Sequence, residues 1–212
     1  MKLKSISICF VVLLLAFLPA FAQTDSTQQN NDLLAELAQT NEQTTLLPTK
    51  MIVTQRLLWG KKGLMRGFGA YQVTPERREV ELKIRRVAVQ THQILGFVTL
   101  GGMIAQGVVG SRLYNGEFQL KELHENLATG INIGYFTTAG LSLFAPPKLI
   151  NDRKGLSPIK LHKWLALLHF SGMVLTNVLA EDAAKPEIRP WHRAAAFTAF
   201  GAYAASIVVI KF

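Results

Sequence analysis

Four apolar segments fill the C-terminal part of the chain, and each is long enough to cross a lipid bilayer. They occupy residues 87–109, 123–145, 161–180 and 191–210. About 20 residues, rising about 1.5 Å each as a helix, cross a hydrocarbon core of roughly 30 Å. The connections are short, so neighbouring helices must be antiparallel. The sequence therefore predicts an all-α integral membrane protein, an up-down four-helix bundle.

The composition and the N-terminus agree with this class. Hydrophobic residues make up 49% of the chain and charged residues 17%, which is typical of a small integral membrane protein. An apolar run over 6–18, followed by Ala20 and Ala22, predicts a signal peptide over 1–22, with an uncleaved anchor helix as the alternative. Cys9, the single cysteine, lies inside it, so a mature chain would have no thiol for a disulfide, an iron–sulfur cluster or catalysis.

Two polar regions precede the apolar segments. Residues 23–50 are rich in Gln, Asn and Thr, which predicts a flexible polar leader. Residues 51–86 hold nine Lys/Arg against three Glu, with Leu and Trp interleaved. This mixture indicates a basic amphipathic segment that lies on anionic lipid headgroups, or else a solvated charged linker. We assign the net charge of +9 to electrostatic contact with the lipid surface or with a partner, and we predict no nucleic-acid partner.

Each apolar segment carries a histidine at its start. These residues are His92, His124, His162 and His192. Each lies about one membrane thickness from the far boundary of its own helix. Because successive helices alternate in direction, His92 and His162 should share one face of the membrane, and His124 and His192 the other. The sequence thus predicts two histidine pairs, each joining alternate helices.

Two facing imidazoles are what the iron of a six-coordinate haem needs. Two haems stacked across the bilayer would carry electrons, and filled axial positions favour electron transfer over oxygen chemistry. The competing interpretation is that histidines near an interface simply reach water with their polar tips. His169 is the alternative ligand to His162. It lies about 10 Å deeper on nearly the same face and has no partner at equal depth.

Four short motifs around these histidines carry a resemblance to a known family. They are Thr91-His92-Gln93-Ile94-Leu95-Gly96, Leu123-His124-Glu125-Asn126-Leu127, Leu161-His162-Lys163-Trp164-Leu165 and Pro190-Trp191-His192-Arg193. In these residues the chain resembles the cytochrome b561 superfamily over about 84–212. The third motif is the most specific, since that family has a Leu-His-x-Trp-Leu-like start on the corresponding helix.

The resemblance implies a four-helix domain over 87–212 that binds two haem b groups. His92 and His162 would ligate one haem iron, and His124 and His192 the other. The family moves electrons from a donor on one side to an acceptor on the other, often from ascorbate toward ferric chelates or a partner protein. The chain departs from the pattern of the familiar eukaryotic members, which add a helix on either side of the core. Its donor and acceptor, whether proteins or a small reductant, are therefore not identified by the resemblance.

Two sequence rules disagree on orientation. A signal peptide would export the N-terminus across a bacterial inner membrane and place 51–86 outside. That orientation puts 15 Lys/Arg outside and five inside, against the positive-inside rule. We expect the exported N-terminus and leave the orientation open.

The function predicted from the sequence is transmembrane electron transfer. The alternative is a non-redox scaffold or assembly protein of the cell envelope, in which the histidines have no ligand. A transporter is disfavoured because the spans have no buried acidic residue. No hydrolase or phosphate-binding motif is present, and no catalytic residue is assigned. Membrane lipid is the expected surrounding, and a homodimer is left open.

Overall fold

The computed structural model describes residues 46–69, 71–149 and 157–211, and these residues are helical with no strand. The predicted all-α class is thus confirmed for them. The predicted signal peptide and most of the polar leader lie outside the described residues. The helices are α1 (Val53–Trp59), α2 (Pro75–Tyr114), α3 (Lys121–Leu143), α4 (Pro158–Val178) and α5 (Arg189–Lys211), with short 3-10 helices at Leu64–Phe68 and Phe118–Leu120.

The four long helices form two helical hairpins, α2 with α3 and α4 with α5. Backbone contacts are concentrated within each hairpin, and between the hairpins α2 and α5 approach each other most. A side-chain pair links α3 to α4 as well, since Asn132 and Asn177 exchange hydrogen bonds of 2.7 and 3.1 Å. The two hairpins therefore meet along a surface that is less closely packed than either hairpin interior.

Local sequence explains where these helices begin and turn. The Thr74 hydroxyl accepts a hydrogen bond from the Arg77 amide, and Pro75 occupies the first turn, so α2 begins well before residue 87. Ser157 caps α4 in the same way, followed by Pro158. In the turn after α2, Gly116 has a φ of 102°, a conformation that favours glycine.

Two helices are long and apolar enough to cross a membrane by length and composition, Pro75–Tyr114 and Arg189–Ile210. The other two predicted spans are helices of 23 and 21 residues, but they do not reach the same mean hydropathy. Histidine and asparagine side chains lower it, as at His124, Asn132 and His169. The complete four-span bundle, its bacterial inner-membrane location and its exported N-terminus therefore stay predictions.

Large apolar side chains lie on the outside of all four long helices. Examples are Val98 on α2, Ile133 on α3, Leu167 on α4 and Phe197 on α5. Inside the hairpins, small residues allow close approach. A methyl group placed on Gly172 would lie 3.1 Å from the Cβ of Ala199, so α4 and α5 could not pack this closely around a larger residue.

Candidate functional site

The structure brings the predicted histidines together in two pairs. The ring centres of His92 and His162 are 6.2 Å apart, and those of His124 and His192 are 6.5 Å apart. Each pair takes one ring from each hairpin, so both pairs lie where the two hairpins meet. The pair of His92 and His162 lies at one end of the four helices, and the pair of His124 and His192 lies at the opposite end.

Three of the four rings are held by a backbone carbonyl of the other helix in the same hairpin. The Nδ1 of His92 lies 2.8 Å from the Thr138 oxygen, and the Nδ1 of His162 lies 2.9 Å from the Ser206 oxygen. The Nδ1 of His192 lies 3.0 Å from the Thr176 oxygen. A carbonyl can only accept, so each Nδ1 carries the proton and each Nε2 keeps a lone pair for a metal.

The orienting residues follow a register that the histidine spacing alone did not reveal. Thr138 lies 14 residues after His124, and Thr176 lies 14 residues after His162. Ser206 stands at the same distance from His192. Each helix thus places its own histidine at one end and holds its neighbour's histidine about 21 Å further along, at about 1.5 Å per residue. All of these positions carry polar residues, but the contact is made by the backbone oxygen, which a residue of any type would supply.

The fourth ring, that of His124, is held differently. Its neighbour on α2, 14 residues after His92, is Gln106. The Gln106 amide nitrogen donates to the His124 backbone oxygen over 3.0 Å and lies 3.3 Å from the His124 Nε2. Two buried polar atoms here have no hydrogen-bond partner, the Gln106 Oε1 and the His124 Nδ1. This site therefore contains an acceptor and a ring nitrogen that both lack a partner.

The spacing of the rings fits the haem that the resemblance implies. A bond from a metal to an imidazole nitrogen is about 2 Å long, and the nitrogen lies about 1.1 Å from its ring centre, so two rings on opposite sides of one iron have centres about 6 Å apart. The measured separations are 6.2 and 6.5 Å. The three available Nε2 atoms and one ring nitrogen of His124 would supply the donor set that such an iron requires.

His169 occupies a different place. Its Nδ1 lies 2.6 Å from the Tyr135 hydroxyl, and its ring centre lies 5.0 Å from that of Tyr203. The Tyr203 hydroxyl in turn donates to the Gly96 carbonyl over 3.1 Å. This buried cluster joins all four long helices between the two histidine pairs. The geometry pairs His92 with His162 and gives His169 a tyrosine as partner, while ligation itself stays a prediction.

The basic region before α2 folds onto one end of the bundle. We call residues 46–69 and 71–74 the cap. The Trp59 indole donates to the Phe144 carbonyl over 2.9 Å, and the Thr54 hydroxyl donates to the Leu143 carbonyl over 2.7 Å. Both carbonyls belong to the end of α3, close to the His92 and His162 end. The sequence indicated an interfacial segment, and the structure adds tertiary contacts that fix it to the helices.

A buried ion cluster anchors the cap. Arg78 and Glu81 are both 0% exposed, and Glu81 pairs with Arg78 and with Arg66. Arg78 also donates to the Leu46 and Pro147 carbonyls over 2.8 and 3.0 Å. Burial lowers the pKa of Arg78, which its hydrogen bond to Glu81 opposes. Two arginines predicted to meet lipid headgroups are thus inside the protein, where they hold three chain segments together.

Three other basic residues of this region, on α1 and in the turn after it, lie on the outside. Arg56, Lys61 and Lys62 are exposed, next to the exposed apolar side chains of Val53 and Leu57. The interfacial interpretation therefore suits α1 and the turn after it. It does not suit the start of α2, where the buried cluster lies.

Comparisons of this chain with known protein families, with characterised proteins and with solved structures find no match.

Proposed function

We propose that this protein is a membrane electron carrier of the cytochrome b561 type that holds two haem b groups. His92 and His162 would bind one iron, and His124 and His192 the other. The observation that carries the proposal is the pair of ring separations, 6.2 and 6.5 Å, at opposite ends of one bundle. Two separate pairs at a spacing suited to a single metal are not expected of histidines that only reach toward water.

Three of the four rings are held in place by the protein's own backbone. Carbonyl acceptors fix His92, His162 and His192 with Nδ1 protonated, which aims the metal-binding nitrogen and raises its basicity. The acceptors belong to helix backbones, so they cannot rotate away as a side chain can. Held by these histidines, haem b would supply one-electron transfer and would leave no open position for oxygen.

The surface supports a location in lipid. Apolar side chains lie outward on all four long helices, and two helices meet the length and composition needed to cross a bilayer. Trp164, close to His162, is 69% exposed, and Trp191, next to His192, is 68% exposed. Tryptophans are enriched at the two faces of a membrane, and these two lie at opposite ends of the bundle. We therefore place both histidine pairs near the membrane surfaces.

An absorption spectrum and a haem assay on the purified protein test the proposal. We expect a reducible low-spin spectrum and about two haems per chain, one for each bis-histidine site. His162→Ala should remove one haem, whereas the matched variant His169→Ala should leave both sites able to bind.

Two results would contradict the proposal or its ligand set. A colourless protein after expression with ample haem would favour the non-redox scaffold. If His169→Ala loses a haem and His162→Ala does not, His169 would be the ligand in place of His162.

A further inference from the structure

The four histidine positions are built on one register, and one of them departs from it. At 14 residues after each histidine, three helices offer a backbone carbonyl to the neighbouring ring, at Thr138, Thr176 and Ser206. At the fourth, the Gln106 side chain contacts the His124 ring instead. The departure concerns a single site, so the two histidine pairs are not equivalent.

The atoms left without partners indicate what Gln106 does there. His124 has a buried Nδ1 with no partner, and Gln106 has a buried Oε1 with none. A neutral imidazole that binds metal through one nitrogen carries its proton on the other and needs an acceptor for it. A buried amide oxygen without a donor is such an acceptor, and leaving it unpaired costs free energy.

The space around this ring is also restricted. A methyl group placed on Gly110, one turn after Gln106 on α2, would lie 2.9 Å from the His124 Cε1 and 3.2 Å from its Nδ1. The ring therefore packs against the backbone of α2, next to the Gln106 side chain, whose amide nitrogen lies 3.3 Å from the His124 Nε2. Gln106 and Gly110 lie on one face of α2, one helical turn apart.

We propose that Gln106 is a positioning residue, whose side-chain oxygen accepts the N–H of His124 and so does at this site what a backbone carbonyl does at the other three. The inference rests on the proposed haem function. It makes His124 the one ligand whose orientation depends on a side chain. Substitutions at 106 should therefore affect the haem between His124 and His192 and leave the other haem unchanged.

The test compares Gln106→Leu and Gln106→Glu in the full-length protein. Leu removes the acceptor at similar size, and we expect haem retention at this site to weaken on the order of 10- to 100-fold, with a changed electron paramagnetic resonance signal for that haem only. Glu keeps an acceptor oxygen, so it should retain the haem and shift its reduction potential downward. Gln90→Leu, the same change at an exposed position of α2, is the control.

The outcomes separate this inference from the proposed function. His192→Ala, which should retain only the haem between His92 and His162, identifies the signal that must not change. Two haems in Gln106→Leu, with unchanged retention and resonance signals, would overturn the role of Gln106 alone. A wild-type protein without haem would overturn both.

Discussion

The two ends of the bundle carry the same histidine arrangement but are closed in different ways. At the His92 and His162 end, the cap is fixed to α2 and α3 by a buried ion cluster and by hydrogen bonds to helix-end carbonyls. At the His124 and His192 end, the described residues form short turns with ion pairs on the surface. Carbonyl acceptors hold histidine rings at both ends, so the cap is not what orients these rings.

The two ends also differ in how their charged side chains stabilise the fold. Buried charges at the capped end have lost their water and depend on each other, so removing one leaves the others unpaired. Exposed charges at the other end are already solvated, and their pairing contributes little. Changes to the cap should therefore have large effects, and equivalent changes at the other end small ones.

The largest effect should come from Glu81→Gln. This change leaves Arg66 and Arg78 buried without their shared carboxylate, so we expect a loss of about 3–5 kcal/mol in the free energy of unfolding. Denaturant titration of the protein in detergent measures it, and faster proteolysis at the exposed Lys61 and Lys62 would report release of the cap.

The control for this prediction lies on the same helix. Glu79 pairs with Lys83 at 2.8 Å on the surface, so Glu79→Gln should cost about 0.5 kcal/mol or less. Equal losses for Glu79→Gln and Glu81→Gln would show that burial of the cluster does not matter.

A smaller effect should follow Trp59→Phe, which removes the hydrogen bond from the cap to the Phe144 carbonyl. We expect a loss of about 1 kcal/mol, and faster hydrogen exchange in α1 than in α2. Leu57→Ala, at an exposed position of the same helix, is the control and should leave exchange in α1 unchanged. Faster exchange in both variants would indicate that the cap is held by α1 packing instead.

The smallest effect should come from Glu117→Gln at the other end. The hydrogen bond from Arg112 lowers the pKa of Glu117, so this pair stabilises the fold above the usual pKa of a glutamate and stops doing so as the pH falls through the lowered value. Both side chains are exposed, and we expect the thermal midpoint of the variant to match that of the wild type at neutral pH. A clear drop in that midpoint would contradict the contrast between the two ends.

The sequence was most informative where the physics is local or periodic. Helical rise and alternation of direction were enough to place His92 with His162 and His124 with His192, and the structure brings both pairs together. Thr74 and Pro75 also indicate the start of α2, whereas the high charge of the residues that follow favours a surface segment.

Tertiary contacts could not be read in this way. Arg78 donates to the carbonyl of Pro147, 69 residues away, and nothing in the local pattern of charges distinguishes it from the exposed Arg77. The role proposed for Gln106 depends on which atoms face each other across a hairpin. The number of residues between two positions gives only their separation along the helix axis. Orientation in a membrane would depend on the N-terminal segment that the sequence predicts to be exported, and this segment lies outside the described residues.

The 14-residue register has a consequence for assembly. Three of the four rings are oriented within their own hairpin, yet each pair of rings is shared between hairpins, so a single hairpin carries one ring of each pair and no complete pair. A ligand that bridges a ring from each hairpin stabilises their association by mass action, since it binds only where both are present. Binding of the proposed haem and the joining of the two hairpins would then be one equilibrium, acting at the loosely packed surface between the hairpins.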